Sequence, residues 1–470
     1  MKLLNIELNK DVISLGVGNL FRFILLVIYS RLQTYFLSYE ELSKFYLVFS
    51  LYTFFSFIII GPIGIYVTRN IIEWYKSNQL ISGLKSIYIK LILPISVLAF
   101  ISIVTAGYFL NYDVNLLIIG GIISLIIITK TANELIYPFF NLIDRNTIYL
   151  ILIILFHLLN PLFSFLAIKL YEPTHTFWLL GLIFSNLFVA IIGWRILKKV
   201  SKEDKIINLD FKTLKTFSLY IMLGNILGWI LTDGFRFVAE NEIGLSAVGI
   251  LILGLMGASQ IFANIENFLN QLLSPKYLQK ISNATYASRA KAFNDLFTVA
   301  IPLYLSLAFL VTLIAEIIIS VIIDKSKINE ILITAFVIGI WIEFFKALIN
   351  IVKNISTSEY KTQAMIIPYL SGALVLIIGF ALGYFYDVTS ISKLILLSYA
   401  SIFIFSLIFL NTIIKIKLDI LFIVKRMIPI LILTFVFNMF SDGLYRIISL
   451  PLYGIAIYSI INYYLKKQAR

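Results

Sequence analysis

Apolar runs long enough to cross a bilayer recur fourteen times between Asp11 and Leu465, separated by short polar segments. A membrane-spanning helix needs about 20 mostly apolar residues. The runs fall near 12–32, 45–68, 87–110, 114–140, 148–170, 176–197, 214–239, 244–273, 296–323, 328–352, 364–386, 393–414, 427–441 and 443–465. The pattern predicts an all-α integral membrane fold of about 14 transmembrane helices. The longest polar stretch, Lys198 to Lys215, divides the first six runs from the next six. Two even-numbered halves enter the membrane from the same side, which predicts two six-helix bundles related by a pseudo-two-fold axis along the membrane normal. The resulting organisation is a first bundle over 1–200, a second over 201–414 and two additional C-terminal helices over 415–470. A loose internal repeat heads the two halves: Gly18-Asn19 followed by Arg31, and Gly224-Asn225 followed by Arg236.

Composition agrees with this reading and narrows it. With 60% hydrophobic and 13% charged residues and a mean hydropathy of +0.96, the chain lies far outside the soluble range. The net charge of +13 is spread unevenly, with 27 of the 38 lysines and arginines on the side of the N-terminus, 8 opposite and 3 (Arg22, Lys130, Lys346) within spans. That bias predicts a multi-pass protein with both termini cytoplasmic, so the basic charge records topology and implies no nucleic acid partner. The first span is full-length and lacks a small-x-small site after it, so it reads as a membrane helix and not as a cleaved leader.

Several chemistries have no carrier in the chain. Cysteine is absent, which removes disulfides, thiolate metal sites and thiol nucleophiles, and two histidines are too few for a histidine metal site. No Gly-Lys dipeptide is present to build a Walker A loop, and no Asp-x-Asp pair or H-E-x-x-H motif occurs. These absences point away from an enzyme and from any bound cofactor. Energy must then come from a proton or sodium gradient, from the membrane potential or from a partner. Eight of the ten prolines lie in or at the edges of spans, either as kinks of moving helices or as the ordinary enrichment of proline in membrane helices.

Charges within spans carry the candidate chemistry, because an ionised side chain at the bilayer centre costs roughly 2.5 to 3.5 kcal/mol even on the lenient insertion scale. Arg22 is central in the first span, about 15 Å of helix from either end, and either lines a hydrated cavity or pairs with an acidic neighbour. At the end of the seventh span Asp233, Arg236 and Glu240 share one face, continued inward by Asn225 and Trp229. That face is either a solvated cluster or the edge of a site. In the eighth span Gln260, Asn264, Asn267 and Gln271 recur at intervals of four, three and four, flanked by Glu266 and Asn270. A polar line of this kind borders a hydrated cavity or bonds to a neighbouring helix. Lys130 with Glu134, and Glu343 with Lys346, are pairs at helical neighbour spacing, open to a structural role or to contact with substrate or ion. Glu134, Glu316 and Glu343 are the candidates for ion coupling.

Three stretches resemble the polysaccharide biosynthesis export family. RLQTYFLSYEELSKFYLVF, Arg31 to Phe49, is similar to that family's passage of arginine, leucine-serine-x-glutamate-glutamate and an aromatic after the first helix. WILTDGFRFVAENEIGLSAVGILIL, Trp229 to Leu253, resembles its tryptophan, aspartate, arginine and glycine-x-x-alanine-valine-glycine passage, with Asp233, Arg236, Gly244, Ala247, Val248 and Gly249 in the matching places. FLNQLLSPKY, Phe268 to Tyr277, resembles its way of closing the eighth helix with a proline. Two positions depart from the pattern. Ser43 stands where a glycine is usual, and the arginine that commonly follows the aspartate directly is displaced to Arg236.

The resemblance implies a flippase of the multidrug/oligosaccharidyl-lipid/polysaccharide exporter superfamily in the bacterial cytoplasmic (inner) membrane. Its cargo would be an undecaprenyl-pyrophosphate-linked oligosaccharide, the repeat unit of an O-antigen of lipopolysaccharide, of a capsule or of a similar surface glycan. Membrane lipids, and the polymerase and chain-length proteins of a glycan assembly pathway, are the partners it implies. Together with the residue pattern, it predicts a cavity in which Arg22, assisted by Lys130 or Lys346, attracts the pyrophosphate while the polar stripe of the eighth span bonds to sugar hydroxyls. Two alternatives stay open. An ion-coupled extruder of cationic drugs from the same superfamily calls for net acidic charge deep in the spans. An integral-membrane polysaccharide polymerase calls for an extramembrane acceptor site, for which the longest outer loop, Gln33 to Ser43, leaves little room.

Overall fold

A computed structural model of the chain describes every residue except 1–9, 110–115, 144, 202–204, 206, 208–210, 282–283, 360, 384–385, 439–442 and 470. The described residues are helical throughout, with no strand. Fourteen long elements follow the predicted runs closely: α1 (Lys10–Phe36), α2 (Tyr39–Lys76), α3 (Leu80–Tyr108), α4 (Leu116–Leu142), α5 (Asn146–Leu170), α6 (His175–Val200), α7 (Phe211–Trp229), α8 (Phe235–Ile281), α9 (Tyr286–Leu313), α10 (Glu330–Ser358), α11 (Ile366–Ala381), α12 (Val388–Asn411), α13 (Ile420–Asn438) and α14 (Gly443–Ala469). A short helix, Ala315–Ile322, lies between α9 and α10. By length and composition, 11 stretches among the described residues can cross a membrane, one of them (Ile221–Glu266) running through α7 into α8.

The helix ends have local causes. Ser38 caps α2 by accepting from the Glu41 amide at 3.2 Å, and Asp387 with Ser390 forms a reciprocal box at the start of α12. Glu41 has a second task. One of its carboxylate oxygens accepts from the His175 backbone amide at 2.8 Å and lies 2.7 Å from the His175 ring Nδ1, and the other lies 3.0 Å from Lys44 Nζ. The leucine-serine-x-glutamate-glutamate passage thus ties the start of α2 to the start of α6.

Three helices contain a five-residue π-turn: Ser56–Ile60 in α2, Tyr88–Ile92 in α3, and Ile230–Gly234 joining α7 to α8. The first two end directly before a residue that precedes a proline, Pro62 and Pro94. Proline has no N–H and its ring crowds the preceding turn, so the helix widens by one residue ahead of it. In α8 the break is different. Gly244 takes φ 77° and ψ 164°, a conformation that only glycine adopts without strain. The break falls where the eighth apolar run begins.

The described chain falls into two compact units, Met1–Arg236 and Phe237–Arg470. In the first, α5 pairs with α6, α4 packs on both α3 and α6, α1 lies on α5, and α7 lies on α2. Polar clamps fix these pairings: Asn133 of α4 donates to the Asn186 carbonyl of α6 at 2.9 Å, and Trp178 Nε1 of α6 donates to the Tyr29 hydroxyl of α1 at 2.7 Å. In the second unit, α10 and α11 flank α12, while α13 and α14 pack against each other and on α9. Leu397, Ile404 and Ile408 form an exposed apolar stripe along α12, and Leu421, Ile428, Ile432 and Phe435 form another on α13. Such faces suit lipid and not water.

Lipid tails are as apolar as leucine, so helices in a membrane associate through close backbone approach at small residues. The contact of α8 with α10 has that form. A Cβ placed on Gly254 would meet the Ala335 Cβ at 2.7 Å and the Phe336 amide nitrogen at 3.0 Å, and one on Gly339 would meet the Ala258 Cβ at 2.9 Å. Gly254 with Ala258, and Ala335 with Gly339, are reciprocal small pairs four residues apart. Gly254→Leu is expected to force the helices apart at a cost of about 3 kcal/mol. The expected reading is a lower thermal midpoint for purified protein, and an unchanged midpoint would contradict the close approach.

Candidate functional site

Arg22 enters the site from α1, whose Gly18 abuts Leu150 of α5. The side chain is half-buried, its Nε is buried with no hydrogen-bond partner, and no carboxylate among the described residues pairs with it. On α5, His157 lies within electrostatic reach of the guanidinium. Asn160, one turn further along, keeps its Oδ1 buried and unpartnered. The packing of α1 on α5 thus places the Arg22 guanidinium near His157, with a buried Nε that has no hydrogen-bond partner.

The other two cations that the sequence placed within spans, Lys130 and Lys346, each face a carboxylate. Lys130 of α4 lies 3.8 Å from Glu134 and over the rings of Phe49 and Tyr52 of α2, at 5.0 and 4.6 Å from their centroids. Lys346 of α10 lies 2.7 Å from Glu343 and 4.8 Å from the Tyr399 ring centroid of α12. Each is a carboxylate one turn away combined with an aromatic face, which attracts a cation through its quadrupole. The pairs differ in access: the Glu134 side chain is 44% exposed and that of Glu343 only 9%.

The polar face that runs from Asn225 of α7 through the π-turn to Arg236 at the start of α8 is turned inward against α2. Arg236 is buried, with Nη1 at 2.8 Å from Asp233 and 2.9 Å from Ser50 Oγ, to which it donates. Ser50, fully buried, donates in turn to the Tyr46 carbonyl at 2.7 Å, and its own carbonyl accepts from Trp229 Nε1 at 3.1 Å. Asn225 Nδ2 donates to the Phe57 carbonyl at 2.6 Å. Of the two readings the sequence left open for this face, the solvated cluster does not fit Asp233 and Arg236, which are the ends of a polar seam. Glu240, one turn further on, is half-buried.

On α8, Gln260 and Asn264 are half-buried, and Asn264 bonds back to the Gln260 carbonyl at 2.6 Å. The flanking Glu266 accepts from Asn350 of α10 at 2.8 Å. The side chains of Asn267, Asn270 and Gln271 lie outside the described residues. Glu316 is exposed in the first turn of the short helix after α9.

No protein-family model matches the sequence, and no curated protein matches it either. Solved structures do. That of the lipid II flippase MurJ in an inward closed conformation superimposes with a TM-score of 0.67 at 14% sequence identity, over 98% of this chain and 99% of that one. This chain has the fold of MurJ. The MATE multidrug transporter DinF-BH, solved in a ligand complex, shares the fold with a TM-score of 0.59 at 15% identity, over 87% of this chain and 98% of its own. A multidrug resistance MATE family transporter of the MOP superfamily, in an outward-facing conformation, gives 0.57 at 12%, over 88% and 97%. The MurJ and MATE structures therefore share one helical architecture with this chain.

Sequence reasoning missed Ser50, the aromatic partners Phe49, Tyr52 and Tyr399, and the Phe57 carbonyl. None of these had a signal in the sequence: Pro62 by itself marks the Ile58 carbonyl, and only the π-turn at Ser56–Ile60 moves the vacancy to Phe57.

Proposed function

We propose that the protein is a flippase that moves an undecaprenyl-pyrophosphate-linked oligosaccharide across the bacterial cytoplasmic membrane by alternating access, with both termini in the cytoplasm. The observation that carries this reading is the extent of the likeness to the lipid II flippase, which leaves almost no residue of either chain over. Such a cargo has a diphosphate headgroup, and Arg22, unlike Lys130 and Lys346, has no carboxylate partner among the described residues. Attraction between the two is strong because water is thinned out at that depth. Lys130 is the second contact, since its pair with Glu134 at 3.8 Å is looser and more exposed than Lys346 with Glu343 at 2.7 Å. Gln260 and Asn264, continued by Asn267 and Gln271, bond to sugar hydroxyls. The two bundles, 1–200 and 201–414, rock around the cargo, and 415–470 adds two further helices. An extruder of cationic drugs would need acids free of basic neighbours, and Glu134 and Glu343 each face a lysine.

The test is reconstitution of the protein in vesicles that carry a fluorescent lipid-pyrophosphate-linked oligosaccharide. The label in the inner leaflet is expected to become accessible to an external quencher at a rate proportional to protein. Failure to expose the label, combined with export of a fluorescent organic cation, would move the assignment to the extruder.

A further inference from the structure

The seam between α2 and α7 begins with a proline. In α2 the Gly61 amide bonds five residues back to the Ser56 carbonyl, so it is withdrawn from the Phe57 carbonyl four residues back. The next residue that could serve Phe57 is Pro62, which has no N–H. The Phe57 carbonyl is therefore vacant by construction, and a vacant backbone acceptor in an apolar setting is costly. Asn225 of α7 fills it at 2.6 Å. Gly228, one turn on, makes the approach close enough, because a Cβ there would sit 3.2 Å from Cε1 of the Phe57 ring. The next residue, Trp229, bonds to Ser50 and Thr53, and α7 is followed by a π-turn of its own at Ile230–Gly234.

The bonds of this seam are unequal in kind. Trp229 and Arg236 bond to groups that have other partners: the Ser50 carbonyl also accepts from Thr53, and the Ser50 hydroxyl also bonds to Tyr46. The Phe57 carbonyl has lost both of its intrahelical donors, so its seat for Asn225 is either occupied or empty. Two adjoining helices that each contain a π-turn, joined through such a two-state contact, can part and rejoin without unwinding. By the sequence repeat α7 heads the second half of the chain, yet it seats on a helix of the first.

We propose that Asn225 is a reversible latch, a positioning residue that holds α7 on α2 through the carbonyl that Pro62 leaves vacant and releases it when the protein passes between its access states. The inference rests on the transport reading given above. It does not require Asn225 to touch cargo.

The natural chain has no cysteine, so a Phe57→Cys/Gly228→Cys pair can be joined cleanly by a short bifunctional thiol reagent. Cross-linking is read on purified protein without cargo, in the pair variant and in the same variant carrying Asn225→Leu or Asn225→Gln. With Leu the yield is expected to fall about fivefold, the population change of one lost hydrogen bond, and Gln, which keeps the donor, is expected to restore part of it. In vesicles, the cross-linked protein is expected to stop moving the labelled lipid and to resume when a cleavable reagent is reduced. An unchanged yield with Leu, or transport that continues through an intact cross-link, would overturn the latch. A protein that moves no lipid-linked glycan even before cross-linking would defeat the transport reading, and the cargo-free yield would still decide whether Asn225 holds the two helices together.

Discussion

Replacing Arg22 by alanine is expected to slow translocation of the lipid-linked oligosaccharide about a hundredfold while leaving the protein in the membrane at normal abundance. The size follows from the interaction lost: a charge-assisted contact to a diphosphate in a site of low dielectric is worth about 3 kcal/mol, and each 1.4 kcal/mol is a factor of ten. The sign of the accompanying stability change separates this role from a structural one. Arg22 keeps a buried, unpartnered Nε and no carboxylate among the described residues, so the empty protein carries a half-desolvated charge that alanine would remove. The thermal midpoint of Arg22→Ala without cargo should therefore equal or exceed that of the parent. A guanidinium held in an internal ion pair would give the opposite result, a lower midpoint together with lower activity. Arg22→Lys retains charge but not the planar fork and should fall between parent and alanine. Parent-like translocation by Arg22→Ala would remove the anionic headgroup from the proposed site.

The elements whose cause is local were readable before any coordinates. The apolar runs fall on the long helices, and the eighth run begins at residue 244, where Gly244 breaks the backbone. The Lys130–Glu134 and Glu343–Lys346 pairs, three or four residues apart, formed as spacing requires. What could not be read was the partner across a helix interface. Nothing in a single strand of text says that the Phe49 and Tyr52 rings lie under Lys130, or that Arg236 seeks out Ser50. Hydropathy also places Arg236 near the end of its run, a position open to water. It carries no signal that α7 turns that face onto α2. The polar stripe of α8 is an intermediate case: the spacing of Gln260 and Asn264 gave the face, and only the fold supplied Asn350 of α10 as the neighbour of the flanking Glu266.

Asp233→Ala is expected to destabilise the protein by about 3 kcal/mol or more, and adding Arg236→Met is expected to recover most of that loss. The argument turns on which charge is left behind. Arg236 is 9% exposed along its side chain and Asp233 is 15% exposed, with the ion pair at 2.8 Å. Breaking a buried pair from one side strands the other charge, which costs more than the pair contributed when intact. Arg236 is poorly placed to bear this, since its Nε is already without a partner and Ser50 Oγ is a neutral acceptor. Methionine matches the length of the arginine stem without its charge, so the double variant loses the pair but strands nothing. The Asp233 carboxylate, which also accepts from the Thr232 hydroxyl at 3.0 Å, is better provided for, so Arg236→Met alone should cost less than Asp233→Ala alone. Thermal midpoints of the four proteins in detergent, combined as a double-mutant cycle, measure the coupling directly. Losses that simply add, with no recovery in the double variant, would mean that the pair is solvated and that the seam on α2 is held by Asn225 and Trp229 alone.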